Sequence, residues 1–140
     1  MRRLRALSLV LSLGLAAGAC GGGTDRLSKD EYIKKADEIC KAMSTKSDAL
    51  DAPQSEADLG KYVGEVAKIA HTMLSDLRAL NGPKSDEATV ADVYDTYEKA
   101  LDKIVKDPSS LMTMTDNPFA DAGKKAKAYG FKECGSESSA

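Results

Sequence analysis

Nucleophilic catalysis needs a Ser, Cys or Thr within reach of a base that a third group holds in place, and the base is most often a histidine. The 140-residue chain has a single histidine, His71, and no G-x-S-x-G elbow. His71 lies between Ala70 and Thr72 beside an apolar stripe, and reads as a boundary or surface residue rather than a base. Asp48 with Asp51, Asp92 with Asp95 and Asp116 with Asp121 are close enough in sequence to share acid–base work or a hard cation. None follows the calcium-loop spacing, and the polar faces of amphipathic helices need such scattered acids anyway. Met112-Thr113-Met114 offers thioethers, which select soft ions such as Cu(I). Met73 falls on a core stripe, however, and Met112 reads as a plug at the end of a bundle, short of three converging ligands. No metal, no cofactor and no catalytic residue is expected, so the chain reads as a non-enzyme.

The remaining chemistry belongs to three cysteines, Cys20, Cys40 and Cys134. In an oxidising compartment two pair and the third needs a separate use. Arg2, Arg3 and Arg5, the apolar run from Ala6 to Leu15 and the small residues Ala17-Gly18-Ala19 have the order of an export signal. The run is too short for a spanning helix, which takes about 20 apolar residues. Ala17-Gly18-Ala19-Cys20 resembles a bacterial lipobox, in which the cysteine is diacylated before the cut, although Ala17 stands where Leu is usual. An ordinary secretory cut after the same A-x-A site, with an unmodified Cys20, is the alternative. Lipidation accounts for the odd cysteine, and two acyl chains hold a protein stably where one does not.

Residues 1–19 are therefore read as a lipoprotein signal peptide. Residues 20–27, with Gly21-Gly22-Gly23-Thr24-Asp25, are read as a lipidated cysteine and flexible tether. Loss of the signal removes three arginines and no acids, so the formal charge moves from −2 to −5. That balance argues against nucleic acid as a partner.

Residues 28–135 have the pattern of helices. Ser28-Lys29-Asp30-Glu31 is a capping box, followed by Ile33, Ala36, Cys40 and Met43, with Ser47 and Leu50 more weakly, at spacings of three and four; the helix must end before Pro53. Ser55-Glu56-Ala57-Asp58 opens a second, with Leu59, Val63, Val66, Ala70, Met73, Leu77 and Leu80 inward. Asn81-Gly82-Pro83 closes it, with Gly82 suited to the left-handed conformation. A third runs from about Asp86 to Lys106 on Val90, Tyr94, Tyr97, Leu101 and Ile104, and 109–117 is loop or a short turn. Pro118 opens a shorter fourth, with Phe119, Ala122, Ala126 and Tyr129 inward and Gly130 as its C-cap. Short connections favour antiparallel neighbours, so the expected fold is all-α: an up-down antiparallel bundle of three long helices and a shorter fourth. Residues 136–140 are a disordered tail.

With two Phe, no Trp, and glycines at 64 and 123 inside helices, the core is thin. A Cys40–Cys134 bond would staple the tail across it, worth about 2–4 kcal/mol. A redox pair is the other reading of these cysteines, without a C-x-x-C spacing to support it. Tyr62, Tyr94 and Tyr97, on or beside inward faces, are candidates to line a cleft for a small apolar ligand, against a simpler role in core packing. Lys124-Lys125-Lys127 reads as a solvated face.

Ser28-Lys29-x-Glu31-Tyr32-Ile33-x-x-Ala36-Asp37-x-Ile39-Cys40, with the closing Tyr129-Gly130-Phe131-x-x-Cys134-Gly135, resembles small exported helical proteins and lipoproteins of high-GC Gram-positive bacteria. The resemblance implies an extracytoplasmic helical domain with its two cysteines paired, and no particular activity. The expected role is a non-enzymatic binding or structural module, lipid-anchored on the extracytoplasmic face of the cell membrane, meeting an envelope protein or wall component. A carrier of a small apolar ligand is the first alternative, and an envelope enzyme or metal handler the second.

Overall fold

The computed structural model describes residues 26–136. The signal segment, Cys20, the tether as far as Asp25 and residues 137–140 of the tail lie outside the described residues. Within them the chain is all-helical, with four α-helices, two 3₁₀ turns and no strand.

Helix α1 is Lys29–Asp48. Its start is the expected capping box: the Glu31 amide donates to Ser28 Oγ, and the Ser28 amide donates to the Glu31 carboxylate at 3.0 Å. The buried line is Tyr32, Ala36, Cys40 and Met43, with Tyr32 taking the inward place expected of Ile33. Leu50 lies beyond the helix end. Helix α2 is Glu56–Ala79, and Ser55 Oγ accepts from the Asp58 amide at 3.3 Å.

The close of α2 differs from expectation. Leu80 leaves the helix in extended conformation (φ −71°, ψ 127°), and among the described residues the only glycine with positive φ is Gly130. Gly82 is required for space instead. A Cβ there would sit 2.8 Å from Cδ2 and 2.9 Å from Cε2 of the Tyr32 ring.

A 3₁₀ turn, Lys84–Asp86, leads into α3, Glu87–Lys106, which ends before Pro108. A second 3₁₀ turn, Pro108–Met112, occupies part of the expected loop and packs on α2 and α3. Met112 does not plug the bundle: it is 66% exposed.

Helix α4 is Ala120–Tyr129, two residues later than the proline suggested. Asn117 causes the delay, because its side chain accepts from the Phe119 amide at 2.8 Å and its carbonyl from the Ala120 amide at 3.0 Å. That turn takes up Pro118 and Phe119 before the helix starts. Gly130, at φ 119°, closes α4 in the left-handed conformation, as the sequence predicts.

Helix α1 packs on α2, α2 on α3 and α3 on α4. The larger core patch joins Tyr32, Cys40, Met73, Leu74, Leu77, Val93, Tyr94 and Phe131, and a smaller one joins Ala67, Ala70 and Leu101. Tyr97 packs against both. Burying Leu74 and Leu77 completely contributes about 1.5–3 kcal/mol each. Lys125 is not merely solvated: its Nζ reaches Asp92 at 2.7 Å and Thr96 at 2.9 Å, tying α4 to α3.

Candidate functional site

Two structures converge on one region, which gathers the start of α1, the turn from α2 to α3 and the chain following α4. The first is a clasp. After Gly130 the chain turns back toward α1, where the Asp37 carboxylate accepts from three successive backbone amides, Lys132 at 3.1 Å, Glu133 at 2.9 Å and Cys134 at 3.2 Å. Successive N–H groups pointing one way form an anion-binding nest, and here a carboxylate of the same chain fills it. Asp37 lies nearly one turn before Cys40, and Cys40 is bonded to Cys134 with their Cα atoms 5.1 Å apart. Phe131, carried on the same segment, is buried in the core. Gly135 then meets α4 closely, with a Cβ there falling 3.0 Å from the Lys127 amide nitrogen.

The second is an aromatic cluster under a shallow cleft. Tyr32 and Tyr94, at 3% and 4% exposure, join their hydroxyls at 2.7 Å. Tyr129 meets Tyr32 edge-on at 6.2 Å and Phe131 at 4.9 Å, and its hydroxyl donates to Asp86 at 2.9 Å. Lys29 Nζ lies 4.4 Å from the centre of the Tyr129 ring. Burial pushes the Tyr32 phenol up. The Tyr94 phenol goes up further, through burial and then its bond to Tyr32. Tyr129 is raised by burial and by the adjacent Asp86 charge, while hydrogen bonds from Ser85 and Tyr129 hold the Asp86 carboxyl below its usual range.

The segment entering the domain is pinned to the same region. The Leu27 amide donates to the Asn81 carbonyl at 2.8 Å. Arg26 Nη1 donates to the Gly82 carbonyl at 2.9 Å and pairs with Glu87. The cleft, about 360 Å³, is bounded by Arg26, Tyr32, Leu77, Arg78, Val90 and Tyr94 among others.

Of the tyrosines singled out as ligand candidates, Tyr94 lines this cleft. Tyr97 stacks on Phe119, with ring centres 4.7 Å apart, and burial pushes its phenol up to about 12. Tyr62 borders a different depression, beside Leu50 and Pro53. The three do not share one cleft; Tyr32, buried behind the capping box, is the partner that Tyr94 meets. His71 is exposed on α2. Asp92 is paired with Lys125 and Asp95 with Arg78, so neither stands as half of a carboxylate pair. Among the described residues there is no group of three or more His, Cys, Asp or Glu side chains that could hold a metal ion, and no helix long and apolar enough to cross a membrane.

Asp37 and Gly82 were the residues whose roles the sequence did not disclose. Asp37 looks like one more acid on a polar face. Its proximity to Cys40, with Gly130 fixing where the returning chain turns, was the available signal. No family model, curated protein or solved structure matches the chain.

Proposed function

We propose that this is an exported lipoprotein, anchored on the extracytoplasmic face of the cell membrane through Cys20, whose helical domain is a non-enzymatic binding or structural module of the envelope. The observation that carries the reading is the cysteine balance. Cys40 and Cys134 are bonded to each other, and Cys20 remains as the third, directly behind a signal-like segment. On this reading the protein belongs with the small exported helical proteins of high-GC Gram-positive bacteria that its two end motifs resemble. Its partners are the membrane, through the lipid, and an envelope protein or wall component.

The proposal includes an up-down course for the four helices. Contacts of Leu27 with Asn81, of Tyr129 with Asp86 and of Lys125 with Asp92 support antiparallel neighbours along the chain. If Cys20 is the anchor, the six residues from Cys20 to Asp25 reach about 20 Å at full extension. The Arg26 end of the domain is then held next to the bilayer, and the connection between α1 and α2 is directed outward.

The test is the intact mass and N-terminus of the protein extracted from the membranes of its own cell type. A mature chain beginning at Cys20 and carrying a diacylglyceryl group is the expected result, with Cys20→Ala moving the protein out of the membrane fraction. A chain with an unmodified Cys20, recovered from the medium, would replace the anchored module with a secreted one.

A further inference from the structure

We propose that Met112 is a reversible oxidation site: a two-electron oxidant such as hydrogen peroxide converts its thioether to the sulfoxide ahead of the other described methionines, and the domain keeps its fold with the oxygen in place. The inference is independent of the lipid anchor and concerns the Met112-Thr113-Met114 run, whose thioethers have redox chemistry as well as affinity for soft ions. Val105 and Met112 are the exposed large hydrophobic residues among those described, and Met112, at 66%, is the more exposed of the two. Packing therefore does not account for a thioether here. Met43 and Met73 are each 6% exposed and belong to the larger core patch, while Met114 is half-buried. The Met43 sulfur also accepts a hydrogen bond from the Ser47 hydroxyl at 3.4 Å, which engages one of its lone pairs. A cysteine thiolate would compete for the oxidant, but Cys40 and Cys134 are bonded to each other, so the described residues hold no free thiol.

The step needs only the sulfur and the oxidant. A lone pair on Met112 Sδ attacks one peroxide oxygen, the S–O bond forms as the O–O bond breaks, and the departing hydroxide takes the proton of the new S–OH group and leaves as water. Sulfur is oxidised, and peroxide reduced, by two electrons. The product is polar, which decides where the fold tolerates it. At Met112 the new oxygen faces water, whereas at Met43 or Met73 it would enter the core without a partner. The turn that carries Met112 is held by its backbone, since the Thr113 and Met114 amides both donate to the Ser110 carbonyl, at 3.1 and 3.0 Å. An exposed sulfoxide is also open to a methionine sulfoxide reductase, in which a dithiol becomes a disulfide and the oxygen leaves as water.

Peptide mapping of the protein extracted from its own cells, disulfide intact, after timed exposure to hydrogen peroxide tests the assignment. Trypsin puts Met43 and Met73 in separate peptides from Met112 and Met114, and fragmentation distinguishes the last two. Oxygen should enter Met112 at least about tenfold faster than Met43 or Met73, which react only as the core opens, and faster than Met114. The singly oxidised chain should keep its circular dichroism spectrum and Tm, and sulfoxide reductases of both stereospecificities should remove the oxygen from the Met112 peptide. Met112→Leu should delete the first uptake and leave the slower phases as they are. Oxygen at Met43, Met73 or Met114 as early as at Met112, loss of the helical spectrum with the first oxygen, or a Met112 sulfoxide that resists the reductases would overturn the site.

Discussion

Asp37 shows how one polar side chain positions a covalent bond. The returning chain must place Cys134 beside Cys40 across a sequence separation of 94 residues, and three amides docked on one carboxylate hold the segment against α1 where the sulfurs are bonded. Hydrogen bonds to a charged acceptor contribute about 1.5–3 kcal/mol, more than neutral ones. Asp37→Ala should therefore lower the stability of the oxidised protein by about that amount in urea unfolding, and Asp37→Asn by less. Dithiothreitol should also reduce the bond faster in Asp37→Ala, since Cys134 loses the contact that holds its segment against α1. Unchanged unfolding and reduction would mean that Phe131 and the disulfide hold the tail without it.

Among the elements, α2 and the turn after it carry glycines with opposite demands. Gly64 lies within the helix, and a Cβ built there meets nothing within 4 Å. Gly64→Ala should then stabilise the protein by up to about 1 kcal/mol, through the helix and the less flexible unfolded chain. At Gly82 a methyl group would press into the Tyr32 ring, which is itself held between Tyr129, Phe131 and the Tyr94 hydroxyl. Gly82→Ala should cost about 1–3 kcal/mol as that cluster shifts. Thermal melts of the two variants should move Tm in opposite directions, and a rise in both would remove the close-approach argument for Gly82.

At the level of the whole molecule, the titratable groups give stability two edges. Glu31 is held low by its bonds to Ser28, Asp86 by Ser85 and Tyr129, and Glu98 by Arg78. A carboxyl with a depressed folded value stabilises above its unfolded value of about 4 and loses that contribution as pH falls through the folded one. Tyr32, Tyr94, Tyr97 and Tyr129 are all raised, Tyr97 to about 12. Raised groups contribute fully below about pH 10 and lose the contribution as pH climbs toward the folded values. Stability should be flat from about pH 5 to 9 and fall on both sides. On the alkaline side, tyrosinate absorbance at 295 nm from these four residues should appear together with loss of the helical signal. Ionisation of all four in the folded chain would contradict their burial.

What the sequence determined by itself is local or additive. Capping boxes, three-and-four spacing, the prolines and Gly130 act within a few residues, so four helices and their approximate limits could be read directly, down to the Ser28 and Ser55 caps. Cysteine pairing was legible because the count left few choices. Where the local signal was ambiguous the sequence misled: Asn117 outcompeted Pro118 for the start of α4, and Gly82 served a neighbouring ring rather than its own φ. The tertiary structure alone decided which tyrosines meet, because Tyr32 and Tyr94 lie 62 residues apart and their hydroxyl bond exists only once α1 and α3 share a core. It also turned Asp37 from a surface acid into the seat of the clasp, since a carboxylate acquires that role only when distant amides are brought to it.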